Sequence, residues 1–155
     1  WDKTDSFKNS PTLNGLLYLE KTSPGEYAAI QWLKQHSQPT DGVLEAVGND
    51  YSHFGRIAAS TGRSTVLGWP GHEHQWRGTF KQLNSRTDDV LLMYSSDDSD
   101  RIRELLTKYD IQYVVVGPRE RKSYNTEHLE GLDELLDRIF SQDGVTIYSV
   151  RERDV

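Results

Sequence analysis

Ile111-Gln112-Tyr113-Val114-Val115-Val116-Gly117 is the stretch whose reading decides the fold. A half-exposed strand would alternate apolar and polar side chains. A near-continuous β-branched run closed by glycine instead predicts a strand covered on both faces. Such a strand needs helices above and below it, so the stretch predicts an α/β layering.

Working outward supplies the helices. Upstream, Asp97-Asp98-Ser99-Asp100 offers a cap for a helix with Ile102, Leu105, Leu106 and Tyr109 on its inward face. Lys108 lies near that helix's C-terminal end, where a cation is favoured. Asp89 to Ser95 fits either period and is read as helix from Val90, Leu91 and Tyr94. Downstream, Pro118 to Tyr124 reads as a charged loop at the strand's end. Leu129, Leu132, Leu135, Leu136, Ile139 and Phe140 read as one amphipathic helix, Asp143-Gly144 as a turn, and Val145 to Val150 as a last strand.

Toward the N-terminus, Ser23-Pro24-Gly25-Glu26 is a helix start. Ser23 can accept from the amide of the third helical residue, Glu26 can reach back, and Pro24 sits where no amide is needed. Tyr27, Ile30 and Leu33 follow at helical spacing, and the helix should stop near Ser37, before Pro39. Val43 to Val47 and Ser64 to Gly68 read as short strands. Between them, Ser52 could cap a helix through Phe54, Ile57 and Ala58 that ends at Gly62. Together these elements predict one layered α/β domain over residues 23–150, with helices around a small, mainly parallel sheet of four or five strands. Residues 1–22 read as an N-terminal arm and 151–155 as a tail.

Composition narrows the class of function. At 155 residues the chain is long enough for one core. A hydrophobic share of 35% and a charged share of 27% fit a soluble domain, and no run approaches the roughly 20 apolar residues that cross a bilayer. The net charge of −6 opposes a nucleic-acid partner, which requires a basic stripe. The lack of cysteine removes disulfides and thiolate metal sites. The chain opens Trp1-Asp2-Lys3 without Met and is read as a piece of something longer.

The chemistry-bearing side chains concentrate in Trp69-Pro70-Gly71-His72-Glu73-His74-Gln75-Trp76-Arg77-Gly78. His72 and His74 could share a metal only if extended, since on a helix they diverge by about 200°. The two-His helical zinc spacing is absent, and so are nucleophile elbows and phosphate-cradling glycine loops, so no metal, cofactor or catalytic residue is expected. Recognition is what the stretch offers. Trp69 and Trp76 present flat apolar faces suited to sugar rings, with His72, Glu73 and Gln75 as hydrogen-bonding groups and Arg77 as a fork for phosphate or carboxylate. A structural reading stays open beside it, in which the tryptophans fill core and Arg77 pairs with Glu73 or Glu45. Glu45, an acid inside an apolar strand, either faces water at an edge or is a buried carboxylate paired with a base from residues 51–78. Arg119, Glu120, Arg121 and Tyr124 form a second group, either a solvated charge run or a ligand site after the strongest strand.

Five segments, in order, resemble the C-terminal soluble domain of the uncharacterised YYY (Chlor_Arch_YYY) family of polytopic prokaryotic membrane proteins. They are Pro11 to Gly15; Glu26 to Leu33; Leu44 to Gly48 with Tyr51; Thr61-Gly62 through Trp69-Pro70-Gly71-His72-Glu73 to Gln75-Trp76-Arg77-Gly78; and Lys108-Tyr109 through Tyr113 to Gly117, Glu120, Arg121 and Tyr124. Asn14 departs from the expected Asp, which weakens the arm as a carboxylate donor. The resemblance implies a many-helix membrane region before Trp1 and a likeness to GT-C-type membrane-embedded glycosyltransferases that use polyprenyl-phosphate sugars. It further implies an extracytoplasmic domain that is inactive alone, with the same polypeptide's transmembrane region and a glycan or lipid-linked sugar as partners. The substrate-binding candidates are then Trp69, His72, Glu73, Gln75, Trp76, Arg77, Glu45, Tyr51, Glu120, Arg121 and Tyr124. The alternative is a structural or assembly module with no catalytic role.

Overall fold

The computed structural model describes residues 15–48, 54–67 and 80–150. The elements run α1 (Gly15–Thr22), α2 (Pro24–His36), β1 (Gly42–Leu44), α3 (Arg56–Thr61), α4 (Phe80–Ser95), α5 (Ser99–Lys108), β2 (Ile111–Val116), α6 (Pro118–Ser123), α7 (Thr126–Leu135), β3 (Asp137–Gln142) and β4 (Val145–Ser149). Four strands form one open sheet in the order β1-β2-β4-β3. The domain is α/β with helices on both sides of the sheet, as the β2 sequence requires.

The two faces of β2 sort the core. Val114 and Val116 join Leu44, Tyr94, Leu105, Leu106, Leu132 and Tyr148 in the cluster under α4, α5 and α7. Val115 points the other way and joins Val43, Ile147, Ile30, Leu33 and Leu19 under α1 and α2. Residues 15–22, read from the sequence as part of an arm, therefore form a helix that buries Leu19.

The strand directions differ from the mainly parallel expectation. Only β1 and β2 run parallel; β2–β4 and β3–β4 are antiparallel. The cause lies in residues 129–140, read as a single helix. The helix stops at Leu135, and Leu136 turns extended at φ −123° and ψ 163°. Ile139 and Phe140 then belong to β3, which a two-residue turn joins to β4. Asp143 and Gly144 hold φ of 48° and 79°, the doubly left-handed geometry of a tight hairpin turn, and a hairpin is antiparallel by construction.

Three further expectations are corrected. β1 is shorter than Val43 to Val47, ending at Leu44. Of the strand expected over Ser64 to Gly68, Ser64 alone among the described residues 64–67 makes a parallel bridge, to Gly42; Val66 and Leu67 are core without being ladder. Pro118 to Tyr124 is not a loop, because α6 occupies most of it.

Helix boundaries follow their expected residues in several places. Asp98 accepts from the Arg101 amide at 3.0 Å, and Gly62 ends α3 at φ 70° while donating to Ala58 O at 2.9 Å. Lys108 is held by Asp89 at 2.8 Å, tying α5 to α4. The start of α2 differs: Ser23 makes no side-chain cap, and Glu26 turns to two arginines instead of reaching back.

The first turn of α2 lies against the β3–β4 turn. A Cβ on Gly25 would stand 2.5 Å from Asp143 O and 3.0 Å from Gln142 O, both backbone atoms. Gly25→Ala is expected to force α2 off the hairpin and cost about 1–3 kcal/mol, read as a lowered urea midpoint with an unchanged m-value. A midpoint equal to wild type would show that the hairpin yields freely there.

Candidate functional site

The C-terminal ends of β1 and β2, the parallel pair, collect the titratable groups that the sequence singled out. Glu120, in the first turn of α6, is buried and accepts from two amides. Its Oε2 takes the Gly117 N–H at 2.8 Å and its Oε1 takes the Ala46 N–H at 2.8 Å. One carboxylate thus closes its own helix start and fixes the backbone leaving β1. Four residues further on, the Tyr124 hydroxyl accepts from the Val47 N–H at 3.3 Å. Tyr124 stacks on Tyr94 at 4.6 Å between centroids and 14° between planes.

Tyr94 comes from α4 and is fully buried. Its hydroxyl is shared between Val115 O at 2.7 Å and Leu44 O at 3.1 Å, one carbonyl from each parallel strand. Burial, with the Glu120 charge adding to it, pushes the phenol well above its ordinary range, so it remains a donor.

Glu45 is the buried carboxylate of the two alternatives, not the water-facing one. It is 2% exposed, and its oxygens accept from Ile57 N at 3.1 Å and Ala58 N at 2.9 Å, at the N-terminus of α3. Its hydrogen-bond partners are backbone amides, where the buried alternative named a base from residues 51–78; Arg56 of that stretch acts on it only through its charge. Burial pushes its pKa up to about 7; the Glu120 charge adds to this, and the two amide bonds and Arg56 oppose it. A carboxyl tuned to neutrality can act as a general acid or base. Here both oxygens are engaged inside the protein with no surface access, so the role is architectural.

Beside this corner lies a cleft of about 340 Å³ lined by the starts of α2, α3 and α6. Glu26 is held there by Arg56 at 3.1 Å and by Arg119. Desolvation lowers the pKa of both arginines from the ordinary guanidinium range, yet a guanidinium stays charged in proteins. Arg119 Nη1 is buried without an acceptor among the described residues. Arg56 was not read as a site residue, and Arg119 was read only as part of a charge run. The available signal was the repeated pattern of Ser23-Pro24-Gly25-Glu26 and Gly117-Pro118-Arg119-Glu120, two proline-led helix starts with Glu in the same place.

Among the candidate residues, Glu45, Glu120 and Tyr124 are thus brought to one corner and turned inward. Arg121 is exposed and donates to Gly144 O. Tyr51, Trp69, His72, Glu73, Gln75, Trp76 and Arg77 lie outside the described residues, as does Ser52. Among the described residues no three His, Asp or Glu side chains could hold one metal ion, and no helix is long and apolar enough to cross a membrane.

The fold resembles that of a solved oligosaccharyltransferase domain. This is the C-terminal globular domain of the enzyme from Archaeoglobus fulgidus, at 13% identity and a TM-score of 0.47, over 81% of this chain and 97% of that one. No family model and no curated protein matches the chain, so kinship with the YYY membrane proteins remains a resemblance of segments.

The Glu45 carboxyl gives stability a defined pH dependence. Its folded pKa of about 7 exceeds the ordinary 4.5, so in that window the unfolded chain has released a proton that the folded chain retains. The Glu45 contribution is therefore complete below pH 4.5, shrinks as pH rises toward 7 and is gone above it, an effect of up to about 3 kcal/mol. Glu45→Gln should flatten this slope while losing one acceptor for the α3 amides, at about 1–3 kcal/mol. Urea titrations of both proteins at pH 5 and pH 8 measure it; parallel pH profiles would refute the assignment.

Proposed function

We propose that the chain is the extracytoplasmic recognition domain of a polytopic membrane glycosyltransferase that uses a polyprenyl-phosphate sugar donor. In this reading the domain holds acceptor or substrate while the transmembrane region of the same polypeptide performs the chemistry. The observation that carries it is the division of labour among the candidate residues. Glu45, Glu120 and Tyr124 are consumed in fixing the frame, through backbone amides at the exits of β1 and β2. The rest of the candidate set is the exposed Arg121, Tyr51 and the donors, acceptors and aromatic rings of Trp69 to Arg77. The chain enters that stretch from the buried pair Val66 and Leu67, with Val66 O held by Arg86 at 3.1 Å, and leaves it into α4. A segment rich in tryptophan and hydrogen-bonding groups, entered from a buried anchor and followed by a helix, suits ligand recognition.

Support from the sequence is the order and density of the five resembling segments. Trp69 and Trp76 would stack on sugar rings, and Arg77 would take a phosphate or carboxylate. The inward orientation of Glu45, Glu120 and Tyr124 also favours a second reading, in which the whole domain is an assembly module for the membrane helices.

The test is substitution of Trp76 and Arg77 by alanine in the intact membrane protein, with glycolipid and glycan products quantified. Recognition predicts at least a tenfold loss of product at normal expression, equivalent to about 1.4 kcal/mol or more of lost transition-state binding. Wild-type product levels would transfer the domain to the assembly reading.

A further inference from the structure

We propose a neutral-saccharide subsite in the groove between α2 and β3, built from Tyr27, Gln31, Trp32 and Gln35 on one side and Phe140 and Gln142 on the other. It shares the carbohydrate class of the reading above but none of its residues. The groove measures about 450 Å³. Pro24, Tyr27, Ala28, Gln31 and Gln35 lie along one helical stripe of α2, while Phe140 and Gln142, two apart on a strand, share one face of β3.

The wall is aromatic and rigid. Trp32 is stacked by His36 at 4.4 Å and 10°, meets Tyr113 edge-on at 6.0 Å and Phe140 at 6.0 Å and 45°. His36 Nδ1 in turn bonds Trp32 O at 2.8 Å. Ring faces fixed in this way offer apolar area to the C–H face of a pyranose with little entropy left to lose.

The polar groups suit hydroxyls. A primary amide carries two donors and an acceptor, the set that adjacent sugar hydroxyls complement. Gln31 and Gln35, four residues apart, make no side-chain hydrogen bond among the described residues, and Gln142 has only a long contact of 3.4 Å to Asp143. Among the described residues the only charged one lining it is Glu20, an acid, which disfavours an anionic sugar. An added peptide strand is the rival occupant, because β3 is the sheet's edge. The register irregularity between Arg138 and Phe140 interrupts the ladder such a strand would need.

The experiment is an amide NMR titration of the 155-residue chain with N,N′-diacetylchitobiose, mannobiose and, as anionic control, digalacturonate. A neutral disaccharide should shift residues 27–35 and 140–142 with a Kd of about 1–10 mM. Gln31→Ala/Gln35→Ala, confined to the groove's polar wall, should weaken that binding at least fivefold, as about 1 kcal/mol per lost hydrogen bond implies. Trp76→Ala should leave it unchanged. No shift with either neutral sugar, tighter binding of digalacturonate, or full affinity in the double variant would each overturn the subsite. Affinity lost in Trp76→Ala but kept in the double variant would overturn it while leaving the loop reading intact.

Discussion

The structure depends on the two hydrogen bonds accepted by Glu120. Parallel strands have no hairpin to hold their ends together, and β1 and β2 are paired over only a few residues. At the point where their ladder stops, Glu120 binds the Gly117 amide leaving β2 and the Ala46 amide leaving β1. Two buried amides that would otherwise lack acceptors, each worth about 1–3 kcal/mol if abandoned, are joined through one side chain. Tyr94 makes the complementary tie from beneath, donating to a carbonyl of each strand. These contacts fix the backbone of Leu44 to Ala46 against that of Val115 to Gly117.

Three acids stand near the starts of three helices, and each is stabilised differently. Glu120 serves its own helix and a neighbouring strand; Glu45 serves the first amides of α3 from outside it. Glu26 sits in the first turn of α2 but is bound by two guanidiniums. A helix N-terminus favours negative charge in every case, through its free N–H groups and dipole. The differences come from what else is within reach. Glu45 is desolvated and crowded by the Glu120 charge, with its two amides and Arg56 opposing, and retains its proton toward neutrality, whereas Glu26 is bound by two guanidiniums.

What could be read from the sequence followed burial. β2 was legible because being covered on both faces writes an unbroken apolar run, and that run alone implies helices on each side. β3 was hidden because Ile139 and Phe140 continue the spacing of Leu132, Leu135 and Leu136, so one period spans two elements. The change of backbone at Leu136 has no letter of its own. That hidden strand is also why the sheet is less parallel than expected. Glu45 was visible as an anomaly, but its partners are amides, which every residue possesses. The Glu26–Arg56–Arg119 cluster joins three distant segments, and pairing between ordinary charged residues cannot be found without knowing which helices meet. The Trp69–Gly78 stretch was conspicuous by composition, and composition names a chemistry without giving its geometry.

The strand order has a consequence for how the molecule assembles. β3 and β4 are neighbours in sequence as well as in space, joined by a tight turn, and such a hairpin closes on the microsecond scale. β1 must find β2 across about seventy intervening residues, a loop closure that is rewarded only once both are in place. Chain topology therefore makes β1 the late arrival. Until it docks, the apolar edge of β2 is open to other chains, and synthesis of this protein passes through a window in which association competes with folding.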